Sequence, residues 1–368
     1  GVDTVCLTGA LTAGGPVIAV LGCGVDVAYP AKNRGLFEDI RYHGCLISEF
    51  PPGTPPYPDN FPVRNRILSG ISVGVVVVEA PRKSGALITA SRALEQGRDV
   101  FALPANVGSP TSAGNLQLLK DGAGDAFVSA GSTGALLSGA TLVVKRIRGI
   151  RRAAMAPVIP TTGGKAVLID CGANAECTPE YLMQFAYLGS FYASRVLGLE
   201  RPRVGLLNIG AEDSKGTDLQ KQTLALLRKA GEEGHLNFIG NIEAKEAIKG
   251  GCDVIVTDGF SGNILLKTME GVGSFAGHAL GDIFRKNLLT KLAAAMVMPG
   301  LRAFKAQLDP NKVGGTAFIG ISRPVIKAHG SSNAEAIDNA IGQARQVAES
   351  GIIGQIQENV HLMQVQPE

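Results

Sequence analysis

Four stretches of this sequence are apolar almost end to end and do not alternate with polar residues. They are GVVVVEA at 74–80, AVLID at 166–170, RVGLLN at 203–208 and DVIVTD at 253–258. A strand reads this way when both of its faces are buried, as in a parallel sheet covered by helices on either side. Helix-like segments separate the strands, and 48 glycines in 368 residues punctuate the alternation. The expectation is an α/β fold: a Rossmann-like three-layer architecture with a mostly parallel sheet, whose sites lie at the carboxyl ends of the strands.

Composition limits the function classes. With 45% hydrophobic and 18% charged residues the chain is globular rather than disordered. Residues 1–123 hold ten of the 35 Lys/Arg and ten of the 32 Asp/Glu, so the net charge of +3 falls in the remainder. That balance argues against a broad polyanion-binding surface, though not against a local basic site. The six cysteines, at 6, 23, 45, 171, 177 and 252, form no CxxC pair and have no histidine at ligand spacing. No metal site, no cofactor and no disulfide framework is expected, and a reducing cytoplasm suits the pattern. A secretory leader pattern and a membrane-spanning run are both lacking.

The two halves meet in a seam, LQLLKDGAGDAFVSAGSTGALL, from Leu116 to Leu137. It reads as a helix end, a short apolar strand, and a glycine loop, GSTG, opening onto another helix. Backbone amides and hydroxyls at such a helix start suit an anion, and a capped strand-to-helix turn uses the same letters. Before the seam the order is helix, PVIAVLG strand, NRGLFEDI helix, CLISEF strand, a proline-rich loop, VRNRILSGI helix, GVVVVEA strand, SGALITASRALEQG helix and DVFALP strand. Two places there carry possible phosphate ligands. Arg64, Asn65 and Arg66 follow the proline-rich loop, and Lys83, Ser84 and Gly85 open the next helix. Ordinary surface charge and a capped helix account for either one taken singly.

Taken together, VLGCGVDVAYP, NRGLFEDI, LISEFPPGTPPYPDNFPVRNRILSG and VVVVEAPRKSGALITASRALEQGRDVFALP resemble the DNA-processing protein A (DprA/Smf) family. This resemblance covers about residues 1–122 and implies single-stranded-DNA binding, with contacts at Arg64, Arg66 and Lys83. The strand and glycine–arginine loop that open that family's domain are not found ahead of Gly1.

From residue 123 to 368 five strand ends deliver glycines with Ser, Thr, Asn or Asp. They are Ser129–Gly131–Ser132–Thr133–Gly134, Asp170–Gly172–Asn174, Asn208–Gly210–Glu212, Asp258–Gly259–Gly262, and His329–Gly330–Ser331–Ser332. In one parallel layer these donors would share a rim and converge on a single anion. There is neither a Gly-x-Ser-x-Gly elbow nor a complete GxxxxGK[ST] loop, which disfavours covalent catalysis and ordinary nucleotide hydrolysis. Neutral donors plus one loop lysine suit a direct displacement by a bound phosphate. Lys215 would then neutralise the incoming phosphate and Asn263 would donate to the developing oxyanion. A solvated turn cation and a helix cap are the alternatives for these two residues.

SAGSTGALLSG, LIDCGANAECTPEYLMQFAYLGS, RVGLLNIGAEDSKGTDL, NFIGNIEAKE, VIVTDGFSGNILLKTMEG and PVIKAHGSS resemble, in order, the PlsX phosphate acyltransferase family. The resemblance runs from about 124 to 360. It implies formation of acyl phosphate from acyl-[acyl-carrier-protein] and inorganic phosphate for phospholipid synthesis, by a peripheral membrane homodimer with Lys215 and Asn263 as catalytic residues. The VDAMGGD-type opening of that family is absent and DprA-like sequence stands in its place, so impaired activity is one expectation. A DprA-like DNA binder is a second, and a recombined product with neither activity a third.

Around 270–308 the sequence predicts a protruding amphipathic helical hairpin. Leu288, Leu292 and Met296 lie on its apolar side, and Arg285, Lys286, Lys291, Arg302 and Lys305 are interspersed. That pattern suits an anionic membrane surface at the inner face of the membrane, or a helix pair between two copies.

Overall fold

The computed structural model describes residues 2–102, 110, 113–120, 125–287, 289–291, 293–294, 296–298, 300, 315–330 and 332–364. The chain divides into two compact units, Gly1–Asp125 and Ala126–Glu368.

The first unit runs α1 (Val2–Thr12), β1 (Val17–Leu21), α2 (Arg34–His43), β2 (Gly44–Ser48), α3 (Asn60–Gly70), β3 (Gly74–Val77), α4 (Gly85–Glu95), β4 (Asp99–Ala102) and α5 (Ala113–Lys120). Strands β1 and β2 pair in parallel, as do β3 and β4. Two small clusters hold the unit together, Val17 with Ala19 and Ile40, and Val77 with Ala80, Ala90, Ala93, Val100, Ala102 and Leu118. The expectation that these strands are covered on both faces is only half met. Ile18 and Val76 remain 49% and 48% exposed, while Val17, Ala19 and Val77, on the opposite faces of their strands, are buried.

The second unit contains two sheets. One has the order β10 (Asn237–Glu243), β9 (Arg203–Asn208), β11 (Val254–Val256), β8 (Gly164–Ile169), β7 (Val158–Thr161). All its pairs are parallel except β7 with β8. In the other sheet, β5 (Phe127–Ser129) pairs in parallel with β13 (Val325–Lys327). β12 (Thr316–Ile319) lies antiparallel to both β13 and β6 (Ala154–Ala156). The five donor-bearing strand ends therefore do not share one layer, as the sequence suggested. Three leave the first sheet, at β8, β9 and β11, and two leave the second, at β5 and β13. The division arises where β6 runs into β7 through Pro157. The chain changes sheets there, and the Pro157 carbonyl accepts from Leu168 N at 3.0 Å. Sheet-switching segments of this kind join packed layers into one core.

That core is built around α7 (Pro179–Arg195), which starts with proline at its first position, where no intrahelical N–H bond is lost. Leu182, Phe185, Ala186, Tyr187, Leu188, Tyr192 and Ala193 are at most 1% exposed. Its buried Gln184 is fully used: Oε1 accepts from Arg151 N at 2.8 Å, and Nε2 donates to the carbonyls of Gly149 and Met363 at 3.1 and 3.2 Å. On the flanks lie α6 (Thr133–Gly139), α8 (Asp218–Glu232), α9 (Ala244–Ile248), α11 (Ala334–Glu349) and α12 (Ile352–Glu358).

Helix α10 (Gly259–Arg285) is 27 residues long. It joins the helix start expected at Asn263 to the expected hairpin without a break. Its glycines 271, 273, 277 and 281 face open space, so they lower helix propensity without inserting anything into the hydrogen-bond ladder. Beyond it, the described residues 289–291, 293–294 and 296–298 are helical. Leu288, Leu292, Arg302 and Lys305 lie outside the described residues, whereas Met296 is described and 84% exposed.

Candidate functional site

The centre of the second unit's rim is a buried carboxylate. Asp170 follows β8 and is 0% exposed. One oxygen accepts from the backbone N–H of Met155 at 2.8 Å and Cys171 at 2.7 Å. The other accepts from Ala173 N at 3.1 Å, Asn174 N at 2.6 Å and Asn174 Nδ2 at 3.0 Å. Burial pushes its carboxyl above the usual range, and these donors, which favour the charged form, pull the other way. Such a carboxylate is an organiser of loops rather than an exposed acid. It folds residues 171–174 into a turn, and Asn174 extends the turn by donating to Ala153 O at 2.9 Å.

The first turn of α10 sits directly on that turn. Asp258 caps the helix, its Oδ1 accepting from Ser261 N at 2.8 Å. Gly259 N donates to Asn174 O at 2.8 Å. A β-carbon at Gly259 would fall 2.6 Å from Asp170 Oδ2, and one at Gly262 would collide with the Asp170 carbonyl oxygen. Only glycine permits this approach, and its effect is to deliver Asn263. That exposed amide lies against Gly172, where a β-carbon would stand 3.6 Å from Asn263 Cγ. The structure thus brings together Asp170, Gly172, Asn174, Asp258, Gly259, Gly262 and Asn263.

The neighbouring loop after β9 carries Lys215. Asn208 organises it, donating from Nδ2 to Lys215 O at 3.1 Å and accepting from Ile209 N at 2.8 Å. Lys215 N donates to Glu212 O at 3.1 Å, and the side-chain stem passes close over Gly210. Thr217 and Gln220 close the loop with a capping box at the start of α8. Lys215 is exposed, and β9 lies beside β11, the strand that leads into Asn263.

In the second sheet, Ser129 is 4% exposed and its Oγ accepts from Gly131 N at 3.0 Å. Ser132 caps α6 through Ala135 N at 3.4 Å, with Thr133 and Gly134 in the first turn. His329 and Gly330 are exposed past β13, Ser332 has a buried Oγ with no partner among the described residues, and Ser331 lies outside them. Lys327, the last residue of β13, is half-buried, a placement that nothing in the letters PVIKAHGSS marks.

In the first unit, Arg64 and Arg66 are engaged internally. Arg64 donates to the carbonyl of Val20 and to Asn65 Oδ1, and stacks over Phe61 at 5.6 Å. Burial lowers its pKa. Arg66 pairs with Glu49. Asn65 is buried and donates to Gly85 O at 3.4 Å. Ser84 caps α4 through Ala86 N at 3.2 Å, leaving Lys83 exposed beside it.

Comparison with known proteins places these two regions. Residues 77–355 match the model of the fatty acid synthesis protein family, three quarters of the chain. The chain belongs to the fatty acid synthesis protein family. Relatives include the phosphate acyltransferase of Thermoanaerobacterium thermosaccharolyticum, 45% identical over 248 residues, 67% of this chain and 73% of that protein. The phosphate acyltransferase of Caldanaerobacter subterraneus subsp. tengcongensis is 41% identical over 276 residues, 75% of this chain and 82% of that protein. Residues 1–132 match the model of DNA recombination-mediator protein A. The DNA processing protein A structure from Streptococcus pneumoniae is 44% identical over 34% of this chain and 44% of that one, with a TM-score of 0.32. Both resemblances read from the residues are present, and the two family matches overlap over 77–132.

The buried thiols give a direct check on this rim. Burial pushes Cys171, Cys177 and Cys252 up to about 12. At pH 8 only about one such thiol in ten thousand is ionised, and the thiolate is the reactive form. Iodoacetamide at pH 8 is expected to alkylate the exposed Cys6 and Cys45 and to spare Cys171, Cys177 and Cys252 until urea unfolds the chain. Peptide mass spectrometry that found Cys171 labelled as fast as Cys45 would contradict this rim geometry.

Proposed function

We propose that this chain is a phosphate acyltransferase, forming acyl phosphate from the thioester of acyl carrier protein and inorganic phosphate. The observation that carries this reading is Asn263, an exposed amide seated against Gly172 by a helix start that only glycines allow. A phosphate oxygen attacks the thioester carbonyl carbon, the C–S bond breaks as the C–O bond forms, and the proton that phosphate gives up ends on the departing sulfur. Asn263 donates to the carbonyl oxygen as it becomes an oxyanion, and Lys215 neutralises the incoming phosphate. Ser129, Gly131, Ser132, Thr133, Gly134, Asn208, Gly210, Glu212, His329, Gly330, Ser331 and Ser332 belong to the surrounding cradle, and Asp170 and Asn174 hold its shape. Lys215→Ala and Asn263→Ala are each expected to lower kcat by about 10²–10³, read by trapping acyl phosphate with hydroxylamine. Full activity in either variant would remove that residue from the mechanism, and no turnover by the unaltered chain would defeat the reading.

Helix α10 favours a peripheral homodimer. Phe260, Ile264, Val272, Phe275 and Ile283 are 51–74% exposed along it, and among the described residues no helix is long and apolar enough to cross a membrane. Self-association along this stripe would set the basic tip, with Met296 exposed, against an anionic membrane surface. Phe275→Glu with Ile283→Glu is expected to yield a monomer by analytical ultracentrifugation. Leu288→Asp with Leu292→Asp is expected to abolish sedimentation with anionic vesicles. Unchanged behaviour in either pair would sink the corresponding contact.

The match of residues 1–132 favours a second activity, single-stranded-DNA binding through Arg64, Arg66 and Lys83. Because Arg66 is already paired with Glu49, its phosphate contact requires exchange of that partner. A gel shift should weaken with salt and be lost in Arg66→Ala with Lys83→Ala. A shift that survives both substitutions would count against it.

A further inference from the structure

The geometry points to Lys327 as a binding residue for inorganic phosphate at the rim of the second unit. This rests on the acyl-phosphate reading above and adds to it a half-buried cation that reading does not use. Lys327 ends β13 and is in register with Ser129, the last residue of β5. In a parallel pair, residues in register place their side chains on the same face, so the Lys327 and Ser129 side chains share one face of the sheet at its rim.

Its surroundings are those of a cation without a counter-ion. Lys327 is half-buried, and among the described residues no carboxylate lies within ion-pair distance of its ammonium. The charged or titratable groups facing it are Lys267 and Glu270 of α10 and Cys171 of the turn after β8. Glu270 is already bound to Lys267 at 2.7 Å, and Cys171 is held as a neutral thiol. Two ammonium groups therefore face one carboxylate. Burial first, and repulsion from Lys267 second, lower the Lys327 pKa. Half-burying an unpaired ammonium is unfavourable, and an arriving dianion relieves it.

The chain just past β13 supplies a further hydroxyl, and α10 supplies a route to the chemistry. Ser332, in the turn after β13, has a buried hydroxyl oxygen with no protein partner among the described residues. Cys171 Sγ donates to the carbonyl of Gly262 at 3.6 Å, so the group facing Lys327 is bonded to the residue preceding Asn263. A phosphate held by Lys327 and Ser332 would be presented from the second sheet toward an acyl group polarised from the first. Lys327 binds the nucleophile; Asn263 serves the carbonyl.

The test uses the full chain with inorganic phosphate as probe. In Lys327→Met the KM for phosphate is expected to rise at least about tenfold, with the KM for acyl carrier thioester within about twofold of the unaltered value. The rise in Tm that phosphate gives the unaltered protein should be lost. Lys327→Arg should recover part of both, and Lys327→Gln provides a polar variant if the methionine form does not fold. An unchanged phosphate KM, or a change confined to the acyl donor, overturns the assignment while leaving the acyltransferase reading intact. Phosphate stabilisation that depends on Lys327 without any turnover upholds the assignment and overturns that reading. Absence of both in the unaltered protein overturns both.

Discussion

One buried carboxylate determines how the acyltransferase rim is assembled. Asp170 accepts four backbone N–H groups and one side-chain amide, in a position with no solvent exposure. An ionised group so placed is stable only when its oxygens are fully bonded. The geometry it demands is therefore narrow. The turn 171–174 must curl back over it, Met155 of the other sheet must point an N–H at it, and α10 must begin on top of it. Gly259 and Gly262 are the consequence on the opposing side, since any side chain there would occupy the space the carboxylate network has taken.

The arrangement also explains why two sheets serve one rim. Met155 belongs to β6 and Asp170 follows β8, so their hydrogen bond lies where the chain passes from one sheet to the other through Pro157. Loops after β8, β9 and β11 carry the amide and the exposed lysine. Loops after β5 and β13 carry hydroxyls and a half-buried lysine. The hydrogen bond from Met155 N, in β6 of the second sheet, to Asp170 after β8 of the first joins the two sheets. On the proposed reading, a displacement reaction would have its nucleophile held by one set of loops and its electrophile by the other.

The first unit shows a different use of the same β–α grammar. Arg64 is drawn to a strand carbonyl and an aromatic ring, Arg66 pairs with Glu49 at the surface, and Ile18 and Val76 of its strands remain half exposed. The two family matches share residues 77–132, which run from the end of β3 through β5.

Much was legible in the sequence itself. Uninterrupted apolar runs placed β8, β9 and β11, because a strand buried on both faces admits few polar residues; a similar run placed β3, whose Val76 nevertheless stays half exposed. Glycines beside Asp, Asn and Ser marked the strand ends, because tight turns and helix caps have specific chemical requirements. The ordered motifs from SAGSTG to HGSS carried the family. Tertiary structure decided the rest. Nothing local says that β6 and β7 belong to different sheets, since pairing partners are chosen by long-range packing. Nor does PVIKAHGSS reveal that its lysine is half-buried opposite a second lysine. Burial and the sign of neighbouring charges are properties of elements far apart in the chain, and they exist only once α10 has closed on the Asp170 turn.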